Sequence, residues 1–143
     1  MTVRFCTKQD ISLIATVEKT CFADFWTENT LEEEFAETRF FAFLAEEEGE
    51  LLGYVCGSSL YEDSELLRIA VLPQHRGKGI GKRLAQAMCD EAKTRGAERV
   101  FLEVRFGNLS AVKLYEGCGF AKTRLRKKYY ADGEDALEMK KDL

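Results

Sequence analysis

Residues 65–94 run from the apolar segment ELLRIAVL, through Pro73 and the stretch QHRGKGIG, into a segment whose apolar residues recur at helical spacing. No other feature narrows the possible folds as much. ELLRIAVL is short, apolar and closed by the only proline of the chain, the pattern of a strand. Ile80, Leu84, Ala85, Met88, Cys89 and Ala92 then fall on one face of a helix that Gly96 is placed to end. RVFLEVR (99–105) reads as the next strand. NLSAVKLYEGCG (108–119) reads as the next helix, starting at Asn108 and ending at Gly117 or Gly119. This succession of strand, glycine-rich turn, helix, strand and helix makes the centre of the chain α/β.

Hairpins and short helices flank that centre. VRFC predicts a first strand, and KQDISLIATVEKTCF a helix with Ile11, Ile14, Val17 or Glu18, and Cys21 at helical spacing. Thr30 and Glu33 have the spacing of a capping box, which predicts a second short helix through LEEEFAE. RFFAFLAEE and LLGYVCGSSL form two strands turning at Gly49, and FAKTRLRKKYY and ALEMKKDL close the chain as two more. At 143 residues this is the size of one domain, expected to span residues 1–143.

Composition removes several classes. Hydrophobic residues at 45% and charged ones at 32% describe a folded, soluble chain rather than a disordered or fibrous one. No apolar run approaches the ~18 residues of a membrane span, and the polar start MTVRFCTKQD is not a signal peptide, so a cytoplasmic location is expected. The five cysteines are scattered without a C-x-x-C pair, which reads as reduced, mostly buried thiols. With His75 the only histidine, neither a zinc site nor a serine–histidine–acid triad has much to work with, and no metal is expected. The net charge of −4 is unevenly spread: residues 1–71 carry fifteen acidic and five basic side chains, residues 72–143 ten and sixteen.

A glycine-rich turn between strand and helix can aim successive backbone N–H groups at one anion, and the helix dipole favours negative charge there. Arg76, Lys78, Lys82 and Arg83 add attraction for phosphate. The dinucleotide spacing G-x-G-x-x-G fails: from Gly77 it meets Lys82, and from Gly79 it meets Leu84. The ATP-type P-loop ending at Gly81-Lys82 fails too, because positions 76 and 83 are arginine. What remains is a phosphate cradle or a solvated basic turn. Three glycines at a helix start weaken the helix by about 1 kcal/mol each, which a plain turn does not require.

Arg76-Gly77-Lys78-Gly79-Ile80-Gly81 resembles the R/Q-x-x-G-x-G/A signature of the GNAT superfamily of N-acetyltransferases. The likeness implies a loop that holds the pyrophosphate of acetyl-CoA through Arg76, Gly77, Lys78, Gly79, Ile80, Gly81 and Lys82. It also implies a strand whose Ile69, Ala70 and Val71 pair with the pantetheine arm. FLEVRFGNLSAVKLYEGCGF extends the likeness, with Asn108 at a cofactor contact and Tyr115 at the tyrosine beside the thiol. The fold implied is a mixed, mostly antiparallel sheet of about seven strands flanked by about four helices. LEVRFGNLSAVKLYEGCGF, RKKYYADGEDALEM and CFADFWTENTLEEEF narrow the resemblance to the bacterial members that acetylate the N-terminal alanine of a small-subunit ribosomal protein. In that group proline usually precedes the tryptophan, where this chain has Phe25 before Trp26.

Acyl transfer from a thioester to an amine needs a group to take a proton from the amine and another to give one to the thiolate. Glu103 sits mid-strand, where glutamate is depleted. By residue pattern it is equally a base, a solvated side chain or a partner of Arg105, and the resemblance assigns it the base. A tyrosine keeps its proton at neutral pH, with a reference pKa of about 10. Tyr115 is therefore either a buried, satisfied tyrosine or, as the resemblance implies, the proton donor. Asn108 suits a helix N-cap as well as a cofactor contact. RLRKKYY has a composition that also suits single-stranded nucleic acid, but in an acidic chain a solvated strand or a groove wall is the better reading.

The expectation is an enzyme that transfers an acetyl group from acetyl-CoA to a protein N-terminal amine, acting as a monomer. A lysine side chain or small-molecule amine is the alternative acceptor. A coenzyme-A- or RNA-binding module without turnover is the alternative class.

Overall fold

A computed structural model describes all residues, 1–143. The strands are β1 (Thr2–Phe5), β2 (Phe40–Glu47), β3 (Glu50–Leu60), β4 (Asp63–Val71), β5 (Arg99–Arg105), β6 (Ala121–Arg126) and β7 (Ala136–Asp142). The helices are α1 (Ile11–Cys21), α2 (Glu28–Phe35), α3 (Ile80–Thr94) and α4 (Leu109–Gly117). One seven-stranded sheet has the order β1-β2-β3-β4-β5-β7-β6. Every neighbouring pair is antiparallel except β4 and β5, which are parallel because α3 crosses between them. No helix is long and apolar enough to cross a membrane.

The continuous apolar run FFAFLA in β2 is explained by burial on both faces. Phe41, Phe43 and Ala45 join the core formed with α3 and α4, whereas Phe40, Ala42 and Leu44 join the one formed with α1 and α2. The helical face read from the sequence of α3 is the buried one: Ile80, Leu84, Ala85, Met88, Cys89 and Ala92. The hairpin between β2 and β3 turns at Glu48 and Gly49, both with positive φ, the geometry a two-residue turn needs.

Two expectations require correction. The cap of α2 is Thr27, whose side chain accepts from Thr30 N, so the helix begins three residues before the Thr30–Glu33 box. The earlier start leaves Leu31 wholly buried against α1 and β2. The strand expected through Tyr130 ends at Arg126, and Lys128 turns the chain away with a φ of 52°.

Two irregularities in β4 position the site. Between Gly57–Leu66 and Cys56–Arg68 the register shifts, leaving Leu67 as the extra residue of a bulge. Beside it, β4 and β5 pair only at Asp63–Arg99, Ser64–Val100 and Glu65–Phe101, although β5 pairs with β7 along its whole length. Beyond Glu65 the two parallel strands part.

Candidate active site

The gap between the parted strands opens into a cleft of about 810 Å³. One wall is β4 from Leu66 to Val71, and the other is β5 from Glu103 to Arg105 with the start of α4. The loop before α3 lies at one end. Every cleft residue expected from the sequence lines it except Lys78, which is exposed and stands outside the lining.

The three glycines of the loop have two kinds of role. Gly77 and Gly79 have φ of 81° and 79°, in the left-handed region that side chains with a Cβ rarely adopt. Gly79 is the N-cap of α3 and supplies no side-chain hydrogen bond, so the first amides of the helix are left for an anion at its positive end. Gly81 instead permits close packing, since a Cβ there would come within 3.2 Å of Leu114 Cδ2. Arg76 Nε donates to the Val71 carbonyl at 2.9 Å and straps the loop to the end of β4. A pyrophosphate fits this cradle through main-chain donors, and β4 without a β5 partner beyond Glu65 leaves a strand edge for an amide-bearing arm.

Glu103 occupies the other wall. Val100, Leu102 and Val104 of β5 alternate into the core under α3 and α4, which puts Glu103 on the opposite face. Its Oε1 lies 3.1 Å from Arg126 Nε, an ion pair without an aligned hydrogen bond; its Oε2 is buried, and the Tyr129 hydroxyl, raised above the ordinary tyrosine range chiefly by this carboxylate, lies beside it. The alternative pairing with Arg105 does not occur. Arg105 Nη1 instead reaches Asp132 and Glu134, each at 2.9 Å. Arg126 is held in turn by Glu138, which also accepts from Thr123 Oγ1 at 2.8 Å. Burial works against the charge on Glu138, but these donors outweigh it and hold its carboxyl below the usual range.

Tyr115 is 6% exposed and meets Phe120 edge-on, with ring centroids 5.9 Å apart. Burial pushes its phenol above the ordinary tyrosine range, so the protonated form is its state at neutral pH. Asn108 caps α4, its Oδ1 accepting from Ala111 N and Ser110 Oγ at 3.2 Å. It lines the cleft as well, so the cap and the contact are compatible. From RLRKKYY, Tyr129 and Tyr130 line the cleft while most of β6 is solvated.

A buried charge cluster beside the cleft was not read from the sequence. Glu18 of α1 is fully buried, and Arg68 of β4 reaches it with Nη2 at 2.6 Å and Nε at 3.2 Å. Tyr54 Oη donates to the same carboxylate, and Trp26 N donates to it at 2.8 Å. Burial opposes the charge on Arg68, but the Glu18 carboxylate outweighs it and the net shift is upward. The available signal was a glutamate on the apolar stripe of α1 together with an arginine inside LLRIAVL, fifty residues apart. Glu65, on the same wall, is raised above the usual carboxylate range by partial desolvation and then by Glu103.

Backbone donors at a helix start hold phosphates, and a free strand edge binds an amide-bearing arm. The donor such a cleft accepts is a coenzyme A thioester, which makes the class an acyltransferase. Residues 11–120 match the acetyltransferase (GNAT) family, and the chain belongs to it. It is an acetyl-CoA-dependent N-acetyltransferase. The [ribosomal protein bS18]-alanine N-acetyltransferase of Escherichia coli strain K12 is 32% identical over 126 residues, covering 86% of this chain and 84% of that protein. An N-alpha-acetyltransferase of Sulfolobus acidocaldarius is 33% identical over 150 residues, covering 96% and 89%. The crystal structure of the ribosomal-protein-S18-alanine N-acetyltransferase from Escherichia coli superposes with a TM-score of 0.89 at 29% identity, over 99% of this chain and 92% of that one.

Proposed function

We propose that the chain, as one domain of residues 1–143, transfers the acetyl group of acetyl-CoA to a protein N-terminal α-amine, the N-terminal alanine of a small-subunit ribosomal protein. The observation that carries the reading is the Glu103 carboxylate lining the same cleft as the buried phenol of Tyr115. Acetyl-CoA supplies an acetyl group activated as a thioester. Glu103 takes a proton from the incoming amine, directly or through a water, because an α-amine with a pKa of about 8 arrives mostly as ammonium. Tyr115 gives its proton to the departing thiolate. The helix-start amides beside Gly79 and the edge of β4 from Ile69 to Val71 hold the donor so that the acetyl group lies between these two side chains. No cysteine nucleophile is needed, since transfer is direct.

Relatives that act on N-terminal alanine and on protein α-amines support the acceptor class. A ribosomal-protein substrate puts the enzyme in the cytoplasm, where it works as a monomer. The test compares short peptides beginning in alanine with the same peptides blocked at the N-terminus and carrying a free lysine. Turnover of the first set supports the reading. Turnover confined to the blocked, lysine-bearing set overturns it.

A further inference from the structure

The connector of residues 22–27, between α1 and α2, has no helix or strand of its own, yet Phe22 and Asp24 line the cleft. Apart from a single turn at Ala23 and Asp24, residues 23–26 lie outside the backbone ladders of the fold. Two side chains hold them. Glu18 accepts from Trp26 N at 2.8 Å, and Arg68 Nη2 donates to Asp24 O at 3.1 Å. The Arg68 guanidinium also lies over the Phe22 ring at 4.1 Å and beside the Trp26 ring at 5.0 Å. Arg68 stands on β4 immediately before Ile69, on the wall of the cleft that faces β5.

We infer that Arg68 is a positioning residue that clamps this connector to β4, so that the wall on the acceptor side and the strand that holds the donor move as one body. The inference rests on the proposed function only in taking the connector side of the cleft as the amine's approach. A planar guanidinium suits the task because one side chain bonds Glu18 through two nitrogens, bonds the Asp24 carbonyl and packs on two rings at once. A lysine ammonium cannot reproduce that set. Pairing with the buried Glu18 also cancels the charge of Arg68, so the clamp adds no net positive charge to a cleft that receives an ammonium. The arrangement binds a segment without backbone ladder bonds to a central strand of the sheet.

Trp26 is the only tryptophan of the chain, so its fluorescence reports on the connector alone. The experiment measures acrylamide quenching of Trp26 and both Michaelis constants in wild type and Arg68→Lys. Quenching is expected to rise at least about twofold and the acceptor KM about tenfold, with the acetyl-CoA KM within about twofold. Unchanged quenching, or equal rises in both KM values, overturns the clamp. Tyr54→Phe, which removes one donor to Glu18 and leaves the guanidinium in place, is the second variant if Arg68→Lys does not fold. It is expected to move the same two readouts in the same direction by about two- to threefold, and no movement in either overturns the clamp. Whichever amine the wild type acetylates serves as acceptor. A protein that ignores alanine peptides therefore sinks the substrate reading, while the clamp still stands or falls on quenching.

Discussion

Replacing Tyr115 by phenylalanine removes one oxygen and keeps the ring, its edge contact with Phe120 and its place in the core. The fold is expected to lose less than about 1 kcal/mol, which thermal denaturation measures. Catalysis has more at stake. General acid–base assistance contributes about 10²–10⁴ in rate, and the loss of one proton donor should lower kcat by a factor in that range, about 2.7–5.4 kcal/mol in the barrier. The acetyl-CoA KM should hardly change, because the cradle beside Gly79 and the edge of β4 are untouched. The deficit should also depend on pH. Tyr115 keeps its proton across the working range because burial raises its phenol, whereas a thiolate of pKa about 8.5 needs less help as the pH climbs past that value. The wild-type to mutant ratio is therefore expected to shrink above about pH 8.5. Steady-state kinetics at several pH values reads both effects. A kcat within about threefold of wild type at pH 7, or equal losses in kcat and acetyl-CoA affinity, would refute the assignment of Tyr115 as donor.

Glu103→Gln is expected to lower kcat/KM by about 10²–10⁴ and to alter the acid limb of the pH–rate profile; an unchanged profile removes Glu103 as the base. Gly79→Ala meets no atom within 4 Å but keeps a φ of +79°, so it should cost about 1–2 kcal/mol of stability and raise the acetyl-CoA KM with kcat preserved at saturation. Asp10 is held below the usual carboxylate range chiefly by hydrogen bonds from Arg4. A lowered folded-state value means that its stabilisation is present above about pH 4 and is lost as the pH falls through the folded value. Asp10→Asn should therefore melt lower at pH 7 and show a shallower decline in Tm below pH 4, and parallel curves would contradict the coupling.

Most of the centre of the fold was legible because local signals agreed there. The six apolar residues of α3 face the core, and β5 spans the residues read as RVFLEVR. The spacing of the glycines excluded two nucleotide motifs, and the positive φ at Gly77 and Gly79 accounts for two of the three. What failed depended on distant contacts. Thr30 and Glu33 satisfy the local rule for a cap, but Thr27 caps α2, its side chain accepting from Thr30 N, and Leu31 then lies buried in the first turns of the helix. The sequence offers Glu103 its neighbour Arg105, whereas its ion pair comes from Arg126 across the sheet order, beyond β7. The Glu18–Arg68 pair joins α1 to β4, and no local pattern ties two charges that far apart to each other.

The most direct test of acetyl transfer to an α-amine offers both amines in one molecule. A peptide with a free N-terminal alanine and one internal lysine, incubated with the protein and acetyl-CoA, is fragmented by mass spectrometry to locate the added acetyl group. The account predicts the label on the α-nitrogen of alanine, with none on the lysine at early times. A label on the lysine ε-nitrogen, with the terminal amine unmodified, would contradict it.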